Sequence, residues 1–159
     1  MALSINEYTN KVNKMIAALP AEVERVNNGL ALSVIPLIVN RLIDLGVDGK
    51  NKKLGTYSPV YKKYREFNNL PTNFVTLSFT GETLADIGVL ESVVDGSSVV
   101  TTIGSTGKTT KGKVNTKQIL DYLGKNYGTN ILSLNEEEEI LLVKAYELEL
   151  QKIIDKFLD

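Results

Sequence analysis

The run "TTIGSTGKTTKGK" at residues 101–113 offers two incompatible folds. Val99-Val100-Thr101-Thr102-Ile103 is largely β-branched and reads as a strand, and Gly-Ser-Thr-Gly-Lys-Thr follows it directly. A strand, a glycine turn and Gly-Lys-Thr begin a phosphate-binding loop, which would make the chain an α/β nucleotide hydrolase. The spacing argues against it. Such a loop places four residues between its first glycine and the Gly-Lys pair, so that backbone amides wrap a phosphate before a helix starts. Here only Ser105 and Thr106 separate Gly104 from Gly107, and Gly112 with two threonines opposes the required helix. The stretch is expected to be a solvated loop at the tip of a strand. The segments around it read as helices at both ends of the chain, with short strands and long loops between them.

Composition narrows the chemistry. At 159 residues the chain suits one domain with a core of its own. It contains no cysteine, histidine or tryptophan, so thiol chemistry and the commonest general base and metal ligand are missing together. A carboxylate site for a hard cation such as magnesium stays open, and any catalysis would rest on Asp, Glu, Lys, Tyr, Ser or Thr. The N-terminus "MALSINEYTNK" lacks a basic region followed by an apolar core. The most apolar stretch, "LALSVIPLIV" at 30–39, is about half the roughly 20 residues needed to cross a bilayer. The expectation is a soluble, intracellular chain with no membrane partner.

Working outward, residues 4–18 form a predicted first helix, with Ser4 and Glu7 as a capping box. A turn at Leu19-Pro20 leads into a second helix over 21–45, kinked at Pro36 and ended by Gly46. Its core face is expected to hold Val23, Val26, Leu30, Val34, Leu37, Leu42 and Leu45. Residues 46–73 read as a long basic loop, 74–132 as the sheet region, and 133–159 as a C-terminal helix. Within the sheet region, "FVTLSF" at 74–79 and 97–105 read as strands, and "GETLADIGVLES" is ambiguous between short helix and strand. "NTKQILDYLGKNYG" reads as a helix closed by Gly124 or Gly128. In the last helix Ser133 and Glu136 suggest a capping box, Glu136–Glu139 a solvated acidic first turn, and Leu142, Tyr146, Leu150, Ile153 and Phe157 an apolar stripe.

A net charge of −1 conceals segregation. Residues 50–134 carry eleven basic and six acidic side chains, net +5, and residues 135–159 carry three basic and eight acidic, net −5. Such balance suggests pairing within the chain or between neighbouring copies. Lys108, Lys111, Lys113 and Lys117 form one basic loop, a candidate for subunit contact or for DNA. Lys50, Lys52, Lys53, Lys62, Lys63 and Arg65, interleaved with Tyr57 and Tyr61, form a second candidate contact segment. Solubilising lysines explain both clusters equally simply.

The segment "LSFTGETLADI" at 77–87 resembles the Leu…Thr-Gly…Leu…Ser-Ile segment of the phage virion-morphogenesis and tail-completion proteins. Leu77, Thr80, Gly81, Leu84 and Ile87 carry the likeness, with Asp86 where a serine is common. The order of segments from about residue 20 onward is also similar. The family's Tyr…His…Gly segment is echoed only at Tyr122 and Gly128, and Asn130, Ile131 and Leu132 replace its Arg-Pro-Phe. The resemblance implies an α+β fold, with N-terminal helices and a C-terminal helix packed on a small antiparallel β-sheet. It implies a structural virion protein: a homo-oligomeric ring in the head-to-tail neck, around the DNA channel, not an enzyme and with no catalytic residue, cofactor or metal. Its partners would be the portal or adjacent neck and tail proteins, with passive contact to packaged DNA. It also implies that the turn at Thr80, Gly81 and Leu84 is structural. The alternative is a small non-sequence-specific DNA-binding or regulatory protein that uses its lysine-rich loops.

Overall fold

A 36-residue helix, α1 (Ile5–Asn40), opens the computed structural model, which describes residues 4–76, 81–95, 98–110, 114–128 and 130–158. Ser4 caps it, accepting from the Glu7 amide at 3.2 Å while the Glu7 carboxylate accepts from the Ser4 amide at 2.8 Å. The two predicted helices are one, because the helix continues through Pro20 and Pro36. Each proline forfeits one bond to the carbonyl four residues earlier, at Ile16 and Leu32. Both of those residues are exposed, so water can take the place of the missing donor. The merged helix is long and apolar enough to cross a membrane by length and composition. A core helix with a buried apolar stripe has the same property, and α1 buries Val26, Val34 and Ile38.

Past Asn40 the helix widens into a π turn, Arg41–Leu45, closed by Gly46 as predicted. Gly46 is left-handed at φ +61° and its amide reaches Arg41 O at 3.2 Å. A Cβ there would meet the Phe74 ring and would sit 2.7 Å from the Val75 carbonyl oxygen. The core stripe follows four-residue steps through Val26, Val34, Ile38 and Leu42. Leu37 and Leu45, expected inside, lie about 100° off that line and are exposed.

Residues 46–73 are not the open loop expected. Asp48 is buried and its Oδ1 accepts from the Lys50 and Lys52 amides at 2.9 Å each, folding the chain back so that Val47 bridges Lys53. A helix follows, α2 (Pro59–Phe67), capped by Ser58 with Pro59 in its first turn. The expected strand at 74–79 is absent over 74–76, where Val75 and Thr76 are buried in irregular backbone, and 77–79 lie outside the described residues.

The ambiguous "GETLADIGVLES" is both things in turn: a short helix α3 (Glu82–Ala85), then strand β1 (Ile87–Asp95). β1 pairs antiparallel with β2 (Ser98–Ser105), in a register that shifts between Val89 and Glu91. Helix α4 (Thr116–Tyr127) is capped by Asn115 and ends at Gly128. Helix α5 (Glu136–Leu158) returns antiparallel along α1: Lys156 pairs with Glu22, and Lys11 donates to Leu158 O at 3.1 Å. The result is α+β, a long N-terminal helix with a C-terminal helix and a two-stranded hairpin packed on it. The core gathers Val34, Ile38, Leu42, Leu54, Val75, Leu84, Ile87 and Ile131.

Gly81 has φ +77° at the start of α3, the left-handed conformation its place in a turn predicts, while Thr80 lies outside the described residues. Leu84 from the same segment is buried in the core. A Cβ at Gly81 would meet nothing within 4 Å, so only backbone strain opposes substitution. Gly81→Val should cost on the order of 1–2 kcal/mol and lower the melting temperature by a few degrees. An unchanged melting curve would show that the turn relaxes freely.

Candidate functional site

The glycine loop after β2 does bind an anion, and the anion is its own. Asp86, between α3 and β1, is 8% exposed and faces the loop. Its Oδ2 accepts from Ser105 Oγ at 2.9 Å, Thr116 Oγ1 at 2.6 Å and the Gly107 amide at 3.2 Å. The Lys108 amide approaches the same oxygen at 3.4 Å, and Thr106 Oγ1 donates to Oδ1. The Asp86 carbonyl also accepts from the Thr106 amide at 3.2 Å. Successive amides and hydroxyls thus close on a carboxylate as they would on a phosphate. Burial alone would raise the Asp86 pKa. The Thr106, Thr116 and Ser105 hydroxyls and the Lys108 amide outweigh it and hold the carboxyl well below the usual range.

The local sequence explains the shape. Gly107 takes φ +84°, which lets consecutive amides turn toward one side. Asn115 fixes the far end: its Nδ2 donates to Gly107 O at 2.6 Å and its Oδ1 accepts from the Lys117 amide at 2.8 Å, capping α4. Thr110 and Val114 pair through a 2.9 Å backbone bond between these ends. The helix that should begin beside Lys108 begins at Thr116. The loop therefore takes more part in the fold than its composition suggested, since Ser105 and Thr116 are buried. With Asp86 filling the cradle, we expect no nucleotide to bind there, and Lys108→Ala to leave no nucleotide hydrolysis to lose. Wild-type turnover that depends on Lys108 would contradict this.

The predicted basic residues separate into surface and core. Lys108 and Lys117 are exposed, while Lys111 and Lys113 lie outside the described residues. Lys50, Lys52, Lys53, Lys62 and Lys63 are exposed as expected. Arg65 is not a surface contact: it is 1% exposed, which corrects its assignment to the candidate segment. Its Nε donates to Pro71 O at 2.9 Å, and its guanidinium lies 4.4 Å from the Tyr57 ring centroid. Tyr57 is half-buried and accepts from the Thr76 amide at 3.0 Å, so it too serves the fold. Tyr61 remains exposed and stacks with Tyr64.

The acidic turn also needs correction. The capping box belongs to Asn135 and Glu138, two residues beyond the expected pair: the Glu138 amide donates to Asn135 Oδ1 at 2.8 Å, and the Asn135 amide donates to Glu138 Oε2 at 2.9 Å. Glu136, Glu137 and Glu139 are solvated as expected, but Glu138 is buried and lies 3.4 Å from Arg41 Nη1. Arg41 Nη2 donates to Ile131 O at 3.3 Å and Ser133 O at 2.8 Å. Burial draws the Arg41 pKa down, opposed by Glu138 and then Asp48. The Asp86 cluster is built from groups that satisfy one another, whereas Arg41 keeps Nε and Nη1 buried without a hydrogen bond and holds Nη1 by the Glu138 charge alone. Among the described residues, no three acidic side chains converge as metal ligands.

Sequence reasoning passed over Asp86 as a centre because it noted the residue only as a departure from the serine common in the resembling family. The available signal was the excess of small hydroxyl residues around one acid-free glycine loop. Comparison of the chain with protein-family models, with curated proteins and with solved structures finds no match.

Proposed function

We propose that this chain is a structural subunit that acts by self-assembly, and specifically a ring-forming neck protein of a tailed phage, without enzymatic activity. One observation supports this most. Among the described residues eleven apolar side chains are buried, whereas twenty-three large apolar ones are exposed, spread over α1, α2, the hairpin and α5. Exposed apolar residues are ordinary when scattered, and clusters of them mark interaction surfaces. On α2, Val60 and Phe67 are over 80% exposed, and the outer hairpin face presents Leu90, Val93 and Val100. A basic middle and an acidic C-terminal segment give neighbouring copies complementary charge. The left-handed Gly81 and the α+β architecture agree with the resemblance to tail-completion proteins.

In this reading Lys108, Lys111, Lys113 and Lys117 face a neighbour or the DNA channel, and the portal or adjacent neck proteins cover the remaining surfaces. Light scattering and electron microscopy of the purified chain provide the test, with closed rings around a channel as the expected result. Changing the four lysines to serine should weaken assembly, most at low salt where screening is least. A chain that stays monomeric at all concentrations, yet binds DNA with steep salt dependence, would favour the DNA-binding alternative.

A further inference from the structure

We infer that α2 of one copy docks, through Val60 and Phe67, into the apolar groove between α1, β2 and α5 of a second copy. This rests on the self-assembly reading above. Four residues of α2, Val60, Lys63, Tyr64 and Phe67, fall at offsets of zero, three, four and seven, so they share one helix face. That face is turned outward: Val60 is 81% exposed and Phe67 86%. The buried residue of α2 is Arg65, and through it the helix is fastened to Pro71 and Tyr57. The apolar stripe therefore points away from its own attachment.

The receiving surface is a cavity of about 370 Å³, lined chiefly by Leu30 and Val34 of α1, Ile103 of β2, and Leu142, Val143 and Tyr146 of α5. Its size falls in the range of sites that bind apolar groups and is sufficient for an aromatic side chain. Val143, more than half exposed, stands at its mouth.

Charge selects a second copy as occupant. Along the α5 row that carries the cavity, positions 139, 142, 143, 146, 147 and 150 include two acids, Glu139 and Glu147, and no base. Each lies one turn from Val143. On the α2 stripe the charged residue is Lys63, while Glu66 lies on the flank beside Lys62. The lengths agree too. Val60 to Phe67 spans about 10 Å of helix and Glu139 to Glu147 about 12 Å, which brings Lys63 within reach of either acid. Donor and acceptor surfaces differ, so each copy has one of each and the contact propagates head to tail, as a ring or filament requires.

The chain has no cysteine, so introduced thiols report cleanly. Glu66→Cys, on the flank of the stripe so that Val60 and Phe67 stay in place, and Val143→Cys chains, differently tagged, would be coexpressed, checked by circular dichroism and mildly oxidised. The expected product is a covalent heterodimer carrying both tags, absent when either variant is expressed alone. An oligomer by light scattering that gives no heterodimer overturns the docking and leaves self-assembly standing. A monomer overturns both. Efficient homodimers of Val143→Cys alone would mean that α5 of the second copy covers the groove, which also overturns the proposal. Independently, Lys63→Glu should weaken self-association at least tenfold, and adding Glu139→Lys with Glu147→Lys should restore it. Unchanged association of Lys63→Glu, or no recovery in the combined variant, counts against the docking.

Discussion

Asp86→Ala should destabilise the protein by about 3 kcal/mol, since a hydrogen bond to a charged group contributes about 1.5–3 kcal/mol and several are lost together. The substitution removes the carboxylate on which the Ser105, Thr106 and Thr116 hydroxyls and the Gly107 and Lys108 amides converge. It leaves Ser105, Thr116 and Gly107 with neutral acceptors only, in one another's hydroxyls and the Lys108 carbonyl. The loop offers them no other acid, because residues 96–120 contain none. For a chain of this length the melting temperature should fall by roughly 6–12 °C. Asp86→Asn keeps the shape and one acceptor oxygen but turns an amide toward donors, and an intermediate loss is expected. Acid provides a second check. The folded pKa of Asp86 is depressed, so its contribution is complete above the unfolded value of about 3.9 and is lost as pH falls below that toward the folded value. Wild-type stability should therefore decline below about pH 4, and that part of the decline should be missing from Asp86→Asn. Denaturant titrations of both proteins between pH 2 and 7 measure it. Parallel acid limbs would mean that the cradle does not depend on the charge.

Glu138→Ala should cost about 3–5 kcal/mol, the range for removing one member of a buried ion pair. Arg41 is 4% exposed, and two carbonyls occupy its Nη2, but the charge facing Nη1 is Glu138. Without it a guanidinium is left in the core with carbonyl dipoles as its close partners, and the Asn135 amide loses its acceptor. The junction between the end of α1 and the start of α5 should loosen first, visible as faster amide exchange at 131–139. Arg41→Met combined with Glu138→Leu should recover most of the loss, because exchanging a whole buried pair for apolar residues costs far less than halving it. If the double variant is as unstable as Glu138→Ala, then the carbonyl contacts of Arg41, and not its charge pairing, hold the junction.

The sequence by itself determined what local chemistry controls. Ser4 with Glu7 and Gly46 at a helix end are decided by the backbone groups a helix leaves unpaired, within three or four residues of each position, and the same chemistry narrowed the end of α4 to Gly124 or Gly128, of which the fold uses Gly128. The α5 stripe from Leu142 to Phe157 was equally legible, since a 3.6-residue repeat needs no partner to be recognised. The rejection of the phosphate loop also rested on local features, the short glycine spacing and the helix-opposing residues after Lys108.

Tertiary structure decided everything that depends on residues far apart. Pro20 and Pro36 looked like breaks because each removes a local bond, yet packing of one continuous stripe against α5 and the hairpin holds α1 through both. Phe74-Val75-Thr76 alternates like a strand, but a ladder needs a neighbour, and β1 and β2 pair with each other. Arg65 and Glu138 carry charge that sequence reading assigned to the surface, and each is buried because partners 6 to 97 residues away, Pro71 and Arg41, satisfy it. Asp86 is the clearest case. Its donors lie 19 to 30 residues downstream, and only the closing of β1 onto β2 brings them to one carboxylate, turning what reads as a site for a ligand into part of the fold.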